Sequence, residues 1–474
     1  MKPVAFIPDP DKTMSIRIKR LKLSDLILNR SGTLVFRIIL AAFGIALRLF
    51  FRRIETVNAD VVPRGTGVIF VMNHPNGLID PALVFVALPR RISFLAKSTL
   101  FRMPVISFLL RTVEALPLYR KIDAGEDVSK NQQTFILCRD MLKKGGSIAL
   151  FPEGVSHNSP KILPAKTGAA RIALGAVSAS DDDGRFDVRI VPVGLFYTNK
   201  TTFRSEALLH FGEPFKVEPA EHEADGQPMR EAVRALTARI EDSLRSVTLN
   251  AETDSELNTA RMAEDILAAA AVNENLGEKL EFLKHFVAGA MERGSSANGN
   301  LRQKIIEYDQ KLDGFGIGPE HLSLAQFSRA SVIREATKQI WPLVLISPFA
   351  LAGAIQHYPA YRLCGVVANH LSKHGADDVS STVKVLAGMV FVPLTWLITA
   401  GVMFYFPGWE WALASLPVSM VCGYLAMYSQ EEIIERRGWA NAIWLFLTRR
   451  EAFLRMYVER RELQHQLRAF DRKV

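Results

Sequence analysis

The chain has 474 residues, of which 49% are hydrophobic, and a formal net charge of +9. That length exceeds one ordinary domain, and the apolar share is high for a soluble enzyme yet low for a transporter with many spans. The positive charge points to nucleic acid or an anionic membrane as partner, and the lack of a zinc finger, basic zipper or aromatic platform excludes nucleic acid.

Basic residues instead flank apolar stretches: Arg52 and Arg53 follow one, and Arg436, Arg437, Arg449 and Arg450 follow another. Cys138, Cys364 and Cys422 lack paired spacing, so neither a disulfide framework nor a CxxC metal site is expected, and a reducing cytosolic environment is the default. Residues 1–56 form a basic N-terminus, with Lys12, Arg17, Lys19, Arg20 and Lys22, and then an apolar run over 34–51. No cleavable signal peptide is expected, because no apolar run follows those charges directly. Arg37 and Arg48 interrupt the 34–51 run eleven positions apart, which returns a helix to within roughly 20° of its starting direction. Both arginines share one face, and a helix lying in the membrane interface is expected, with a tilted single span as the alternative.

Residues 57–220 alternate short β-rich apolar runs (67–72, 147–151 and 188–193) with helical stretches such as 128–144, ended by Gly145-Gly146. This rhythm predicts an α/β domain with a central sheet flanked by helices. Residues 221–340 form a helical extension. Val233, Leu236, Ile240 and Leu244 share one helix face there, and 294–300 (GSSANGN) reads as a linker or turn. Within 341–430, the segments 385–406 and 411–428 are apolar and long enough to span, with Pro407-Gly408 between them. Residues 342–360 are apolar but carry Pro342, Pro348 and Pro359, so a broken, dipping segment is expected before a C-terminal transmembrane hairpin. A basic tail, 431–474, follows and is expected in the cytosol.

Four stretches carry chemistry. The first is NHPNGLIDP, Asn73 to Pro81, directly after the 67–72 strand. Asn76-Gly77 marks a turn and Pro81 pushes Asp80 away from the α region, so a loop is expected that brings Asp80 back to His74. A carboxylate there would fix the imidazole tautomer and suit His74 to take a proton from an alcohol. Asp80-Pro81 also fits a helix N-cap followed by Pro at the first position, and both readings stand at this point. The second stretch is FPEGVSH (151–157), with Lys161, Lys166 and Gly168 beyond it. Its Gly, Ser and lysines offer donors to a phosphate, while Glu153 could accept from acceptor hydroxyls; the plainer reading is a strand-to-helix turn with solvated lysines. LPLYRK (116–121) offers Arg120 for bidentate phosphate recognition, against an ordinary surface arginine. IVPVG (190–194) only shapes a pocket wall.

The order NH…D, LPLYR, FPEG.S, IVPV resembles the glycerol-3-phosphate and lysophosphatidate acyltransferase family over roughly residues 60–215. FRSEALLHFGEPF (203–215) is similar to the glycerol-3-phosphate branch. The resemblance implies that His74 is the catalytic base and Asp80 its partner, with Arg120, Glu153 and Gly154 binding the acceptor, and Ser156 and Lys166 beside them. Five residues, Pro75 to Ile79, separate His74 from Asp80, one more than the family's usual spacing, which a loop can absorb. It further implies a membrane-associated O-acyltransferase of phospholipid biosynthesis, without metal or cofactor. Acyl-CoA or acyl carrier protein would be the co-substrate, a glycerol phosphate the acceptor, and the catalytic domain would face the cytosol. Two other classes stand beside it. A serine hydrolase would use Ser156 with His157, although GVSHN lacks the second Gly of a nucleophile elbow. A non-catalytic membrane scaffold would have kept the motifs without the chemistry.

Overall fold

The computed structural model describes residues 17–22, 24, 33–77, 79–88, 90–102, 104–123, 125–178, 187–200, 202, 204–223, 227–268, 275–292, 296–326, 328–372 and 377–471. Lys12, Leu78 of the NHPNGLIDP stretch, Phe203, and residues 294–295 of the expected linker lie outside these. Two compact units divide the chain: Met1–Asn250 with Asn275–Gly277, and Ala251–Glu274 with Glu278–Val474.

The first unit holds strands β1 (Ile18–Arg20), β2 (Phe51–Val57), β3 (Gly67–Met72), β4 (Ser93–Lys97), β5 (Leu116–Leu118), β6 (Ser147–Leu150), β7 (Val188–Tyr197), β8 (Ser205–Phe211) and β9 (Phe215–Lys216). Their order in the sheet is β1-β2-β8-β7-β3-β6-β4-β5, with β9 on β7. β7, β3, β6, β4 and β5 are mutually parallel, and β8 returns antiparallel to β7. Parallel neighbours require crossovers, and α2 (Ile79–Ala87), α3 (Pro104–Thr112), α4 (Asn131–Lys143) and α5 (Gly168–Ser178) lie in the connections from β3 to β7, while α1 (Leu34–Phe50) precedes β2 and α6 (Arg230–Val247) follows the last strand. β3 is buried along its whole length, which explains its unbroken apolar run: side chains alternate between two covered faces. Ile69 and Val71 join a core with Cys138 and Leu142 of α4, Ala169 and Ile172 of α5, and Val233, Leu236, Ile240 and Leu244 of α6. Burial among these side chains pushes the Cys138 thiol pKa up to about 12, so it behaves as a small apolar group.

α1 is amphipathic. Phe36, Leu40, Leu47 and Phe50 face inward, with Phe36 meeting Phe85 of α2 edge-on at 5.4 Å, while Leu34, Val35, Ile38, Ile45 and Leu49 are exposed. Thr33 caps its N-terminus by accepting from Phe36 N at 3.2 Å.

Several expected boundaries move. Asp80 sits in the first turn of α2 rather than in a loop, because Pro81 is tolerated at a helix start. The β6 strand stops at Leu150 and frees Phe151, and β7 runs on to Tyr197.

The second unit holds α7 (Asp254–Ala268), most of α8 (Leu276–Glu292), α9 (Ser296–Phe315), α10 (Arg329–Ser372), α11 (Asp377–Tyr405), α12 (Trp409–Thr448) and α13 (Arg450–Asp471). Ser296–Asn300 of the expected linker begins α9 instead of breaking the chain. α13 packs back on the earlier helices: Gln464 Nε2 donates to Ile266 O at 2.8 Å, and Tyr308 OH to Met456 O at 3.2 Å. Three helical stretches are long and apolar enough to cross a membrane: Ile340–His370, Val383–Tyr405 and Trp409–Gln430. The first contains the segment expected to be broken, yet α10 is one continuous 44-residue helix through Pro342, Pro348 and Pro359. A proline removes one backbone donor, and an apolar helix with close neighbours can absorb that loss.

Candidate active site

The motif-bearing segments lie far apart in sequence but leave the same edge of the sheet. β3, β6, β5 and β7 are parallel, so the residues following Met72, Leu150, Leu118 and Tyr197 all emerge at the carboxyl ends of the strands, where open α/β sheets bind ligands. β3 and β6 are direct neighbours, which sets the NHPNGLIDP stretch beside FPEGVSH.

The dyad forms. His74 Nδ1 lies 2.9 Å from Asp80 Oδ2, and the same oxygen accepts from Asn76 N at 2.7 Å. Asp80 Oδ1 accepts from Tyr197 OH at 2.6 Å, and the carboxylate is fully buried. Of the two readings of Asp80-Pro81, the one that pairs Asp80 with His74 holds; Asp80 is the second residue of α2 rather than its N-cap, and its carboxylate ties the preceding turn through Asn76 N while it holds the imidazole. Because Oδ2 accepts, His74 carries its proton on Nδ1, leaving the Nε2 lone pair free. Among the described residues, His74 Nε2 has no hydrogen-bond partner. The ring also stacks on Phe151, with centroids 4.0 Å apart and planes 12° apart. Burial, and then the Asp80 charge, push the Tyr197 pKa well above the usual phenol value, so Tyr197 is a standing donor to Asp80.

Asn73 and Asn76 fasten the turn. Asn73 pairs with Leu195 of β7 in both directions, Nδ2 donating to its O at 3.0 Å and Oδ1 accepting from its N at 2.7 Å. Asn76 is buried and donates from Nδ2 to Lys200 O at 3.1 Å.

Arg120 is in place but occupied. Its Nε and Nη2 fork onto Asp123 at 2.9 Å each, and Nη1 donates to Gly154 O. Lys97 adds a contact to Asp123 at 3.1 Å. The hydrogen bond from Arg120, more than any other cause, holds the Asp123 carboxyl below its usual range. The remaining N–H groups on Nη1 and Nη2 are what Arg120 can still offer a ligand. Gly154 has φ +73°, a backbone that favours glycine, and Lys166 lies over it: a β-carbon there would meet Nζ at 2.9 Å. Ser156 is half-buried in the same loop.

Glu153 departs from the expected acceptor role. It is 2% exposed, and its oxygens accept from His74 N at 2.9 Å, from Leu163 N at 2.7 Å and from His157 Nε2. His157 Nδ1 in turn accepts from Ser159 N at 3.1 Å. Both ring nitrogens of His157 are engaged, so it cannot act as a base for Ser156, which removes the serine-hydrolase arrangement. Among the described residues no three His, Cys, Asp or Glu side chains converge as metal ligands would. Sequence reasoning missed Tyr197 and Phe151, and placed His157 only as a hydrolase partner of Ser156. Tyr197 lies 117 residues from Asp80 and carries no local signal, whereas Phe151 lies inside the FPEGVSH stretch.

Two family profiles match the chain: one described as Acyltransferase over residues 53–195, and one described as Glycerol-3-phosphate acyltransferase 2 C-terminal domain over residues 273–473. Glycerol-3-phosphate O-acyltransferase 2 of Saccharomyces cerevisiae is 30% identical over 280 residues, which is 56% of this chain and 37% of that one. An uncharacterized acyltransferase of Schizosaccharomyces pombe is 24% identical over 442 residues, covering 74% of this chain and 64% of its own length. The chain thus spans less than two thirds of these relatives. A crystal structure of a 1-acyl-sn-glycerophosphate acyltransferase from Thermotoga maritima aligns with 46% of this chain and 83% of its own, at 18% identity and a TM-score of 0.31. The two profiles fall on the two units that the fold separates, the first enclosing the His74–Asp80 dyad and the FPEG loop, and the chain carries an Acyltransferase domain and is similar to glycerol-3-phosphate and 1-acylglycerol-3-phosphate acyltransferases.

Proposed function

We propose that the protein is a membrane-associated acyltransferase of phospholipid biosynthesis, moving a fatty acyl group from acyl-CoA or acyl carrier protein to a hydroxyl of glycerol-3-phosphate or 1-acylglycerol-3-phosphate. The observation that carries this reading is the buried Asp80 on His74 Nδ1, which leaves Nε2 as a base beside a cation-bearing loop. In the step assigned here, Nε2 takes the proton of the acceptor hydroxyl as its oxygen attacks the thioester carbonyl. The C–O bond forms, the tetrahedral oxyanion collapses, the C–S bond breaks, and the thiolate recovers the proton from the imidazolium. Asp80, held by Tyr197 and Asn76, stabilises that imidazolium. Arg120, Lys166, Ser156 and the backbone at Gly154 gather around the acceptor phosphate, placing the hydroxyl for attack. Yeast relatives named glycerol-3-phosphate O-acyltransferases favour glycerol-3-phosphate as the acceptor. The test is thiol release by purified protein with glycerol-3-phosphate, dihydroxyacetone phosphate or lysophosphatidate. No release above the His74→Ala background with any of them sinks the reading.

The membrane arrangement we propose has an even number of crossings. His321, before the apolar helices, packs edge-on against Trp439 after them at 4.9 Å, and α13 lies on α7 and α9. Both ends of the apolar segment then belong to one body on one face of the bilayer. The count assigns two crossings to α11 and α12 and no complete crossing to the continuous helix α10. The cytosolic face, where activated acyl donors occur, is the side assigned to the catalytic loops and the basic tail. A cysteine replacing Glu410, in a variant without the native cysteines, should react with an impermeant reagent only from the opposite side. Labelling of an Arg455→Cys variant from that opposite side would overturn the even count.

A further inference from the structure

We infer that Glu153 and His157 are a pair of positioning residues that set the catalytic loop, and that the Glu153 carboxylate does not touch the acceptor. The inference rests on the acyl-transfer reading and adds to it the means by which His74 is aimed. Burial excludes a ligand from Glu153, and three donors already converge on its oxygens: the amides of His74 and Leu163 and the imidazole of His157. The His157 tautomer follows from its partners. Ser159 N donates to Nδ1, so the ring proton sits on Nε2 and points at Glu153. His157 also donates its own backbone N–H to His74 O at 3.2 Å. The backbone of His74 is thus held at both polar groups by the FPEGVSH loop, its N–H by Glu153 and its C=O by His157.

Ring and backbone of His74 are held by different parts of the fold. Asp80, Tyr197 and Asn76 orient the ring from α2 and β7, and Phe151 covers one of its faces. Glu153 and His157 fix where the ring starts, from the loop after β6. In Glu153→Gln the side chain presents an amide N–H toward donors that need an acceptor, so the loop must shift and carry His74 Nε2 with it. A displacement of about 1 Å at a reacting group can cost on the order of 10²-fold in rate.

The experiment measures kcat and acceptor KM for Glu153→Gln, His157→Gln and His157→Ala in the full-length protein. Modification of His74 by diethyl pyrocarbonate, followed by mass spectrometry, serves as a readout that needs no turnover. Glu153→Gln should lower kcat by about 10²-fold while acceptor KM stays within about threefold, since the lost interaction aims the base and does not bind the substrate. His157→Gln keeps a donor near the Nε2 position and should retain most of the activity, whereas His157→Ala should lose about tenfold or more. The rate of His74 modification should change in Glu153→Gln and His157→Ala but not in His157→Gln. An acceptor KM raised tenfold with kcat preserved in Glu153→Gln would place the carboxylate on the substrate and overturn the inference. Equal damage from His157→Gln and His157→Ala would also overturn it. If the wild type transfers nothing, the acyl-transfer reading falls, and an unchanged modification rate in both Glu153→Gln and His157→Ala would separately refute the positioning pair. If Glu153→Gln does not fold, the two His157 variants decide the matter.

Discussion

The sheet-based unit and the apolar helices α10–α12 contain similar residues arranged in opposite senses. In the first, large apolar side chains such as Phe70, Met72, Leu83 and Phe211 are buried and the surface is mixed. In the apolar stretches 340–370, 383–405 and 409–430 of the second, Tyr361, Leu397, Phe404 and Trp411 are among many large side chains left exposed, while the buried positions are small, such as Ala350, Ala360, Cys364, Ala368, Ser419 and Cys422. In water, removing large apolar surface from solvent drives packing. Hydrocarbon gives no such drive, so helices there gain by close backbone approach and by polar contacts between them. Gly353 shows the first device, because a β-carbon on it would stand 2.0 Å from the Cys422 carbonyl oxygen. Gln356 shows the second: its amide donates to Thr399 at 2.9 Å and to Ser419 at 2.7 Å, linking α10, α11 and α12. Trp396 adds a contact to His357 at 2.8 Å. The same composition therefore builds a reaction scaffold in one region and a lipid-facing bundle in the other.

The comparison breaks most sharply at the catalytic loop. His74→Ala should lower transfer by about 10²- to 10⁴-fold, while melting and membrane association stay as in the wild type. Asp80→Asn should lose most of the activity as well. A variant that keeps full turnover but melts earlier would reduce Asp80 to a structural tie between the turn before α2 and Tyr197.

A smaller effect is expected at Arg120. Arg120→Ala should raise the acceptor KM roughly ten- to a hundredfold, the equivalent of about 1.5–3 kcal/mol for a charge-assisted contact, with the donor KM nearly constant. A shift in the donor constant instead would move Arg120 to the thioester side.

Gly353→Val probes the lipid-facing region alone. Overpacking of this kind costs about 1–3 kcal/mol, and here the clash is with backbone, which has little room to yield. The variant should show faster hydrogen exchange in α10 and α12, while the exchange of β3 and β6 stays unchanged. Equal protection in α10 and α12 would mean that the helices are not held by this close approach.

The smallest effect is a pH dependence in the water-side region. The native Asp123 carboxyl has a depressed pKa, chiefly through the hydrogen bond from Arg120, so its stabilising contribution is complete above the ordinary carboxylate value of about 4. That contribution fades as the pH falls from there through the depressed native value, because the unfolded chain takes up the proton first. The melting gap between wild type and Asp123→Asn should be constant near neutrality and narrow on acidification. A gap that widens in acid would contradict the pairing.

Local pattern alone determined a good part of this protein. The unbroken GVIFVM run reads as a strand covered on both faces, and β3 is one. Spacing placed Val233, Leu236, Ile240 and Leu244 on one helix face, and all four are buried in the core. The charge-free runs at 385–406 and 411–428 lie almost wholly within helices long and apolar enough to cross a membrane. The motif order named the His74–Asp80 pair, whose contact forms across a turn of a few residues. Only the tertiary structure decided the rest. Tyr197 reaches Asp80 because β7 lies beside β3 in a given register, and Glu153 reaches the His74 amide because β6 lies on the other side. α10 stays helical through three prolines that sequence rules treat as breaks, its flanks packed against α11 and α12. Periodicity and turn chemistry act between residues a few positions apart, whereas the partners of a buried polar group are chosen by strand order and register, which couple residues scores of positions apart.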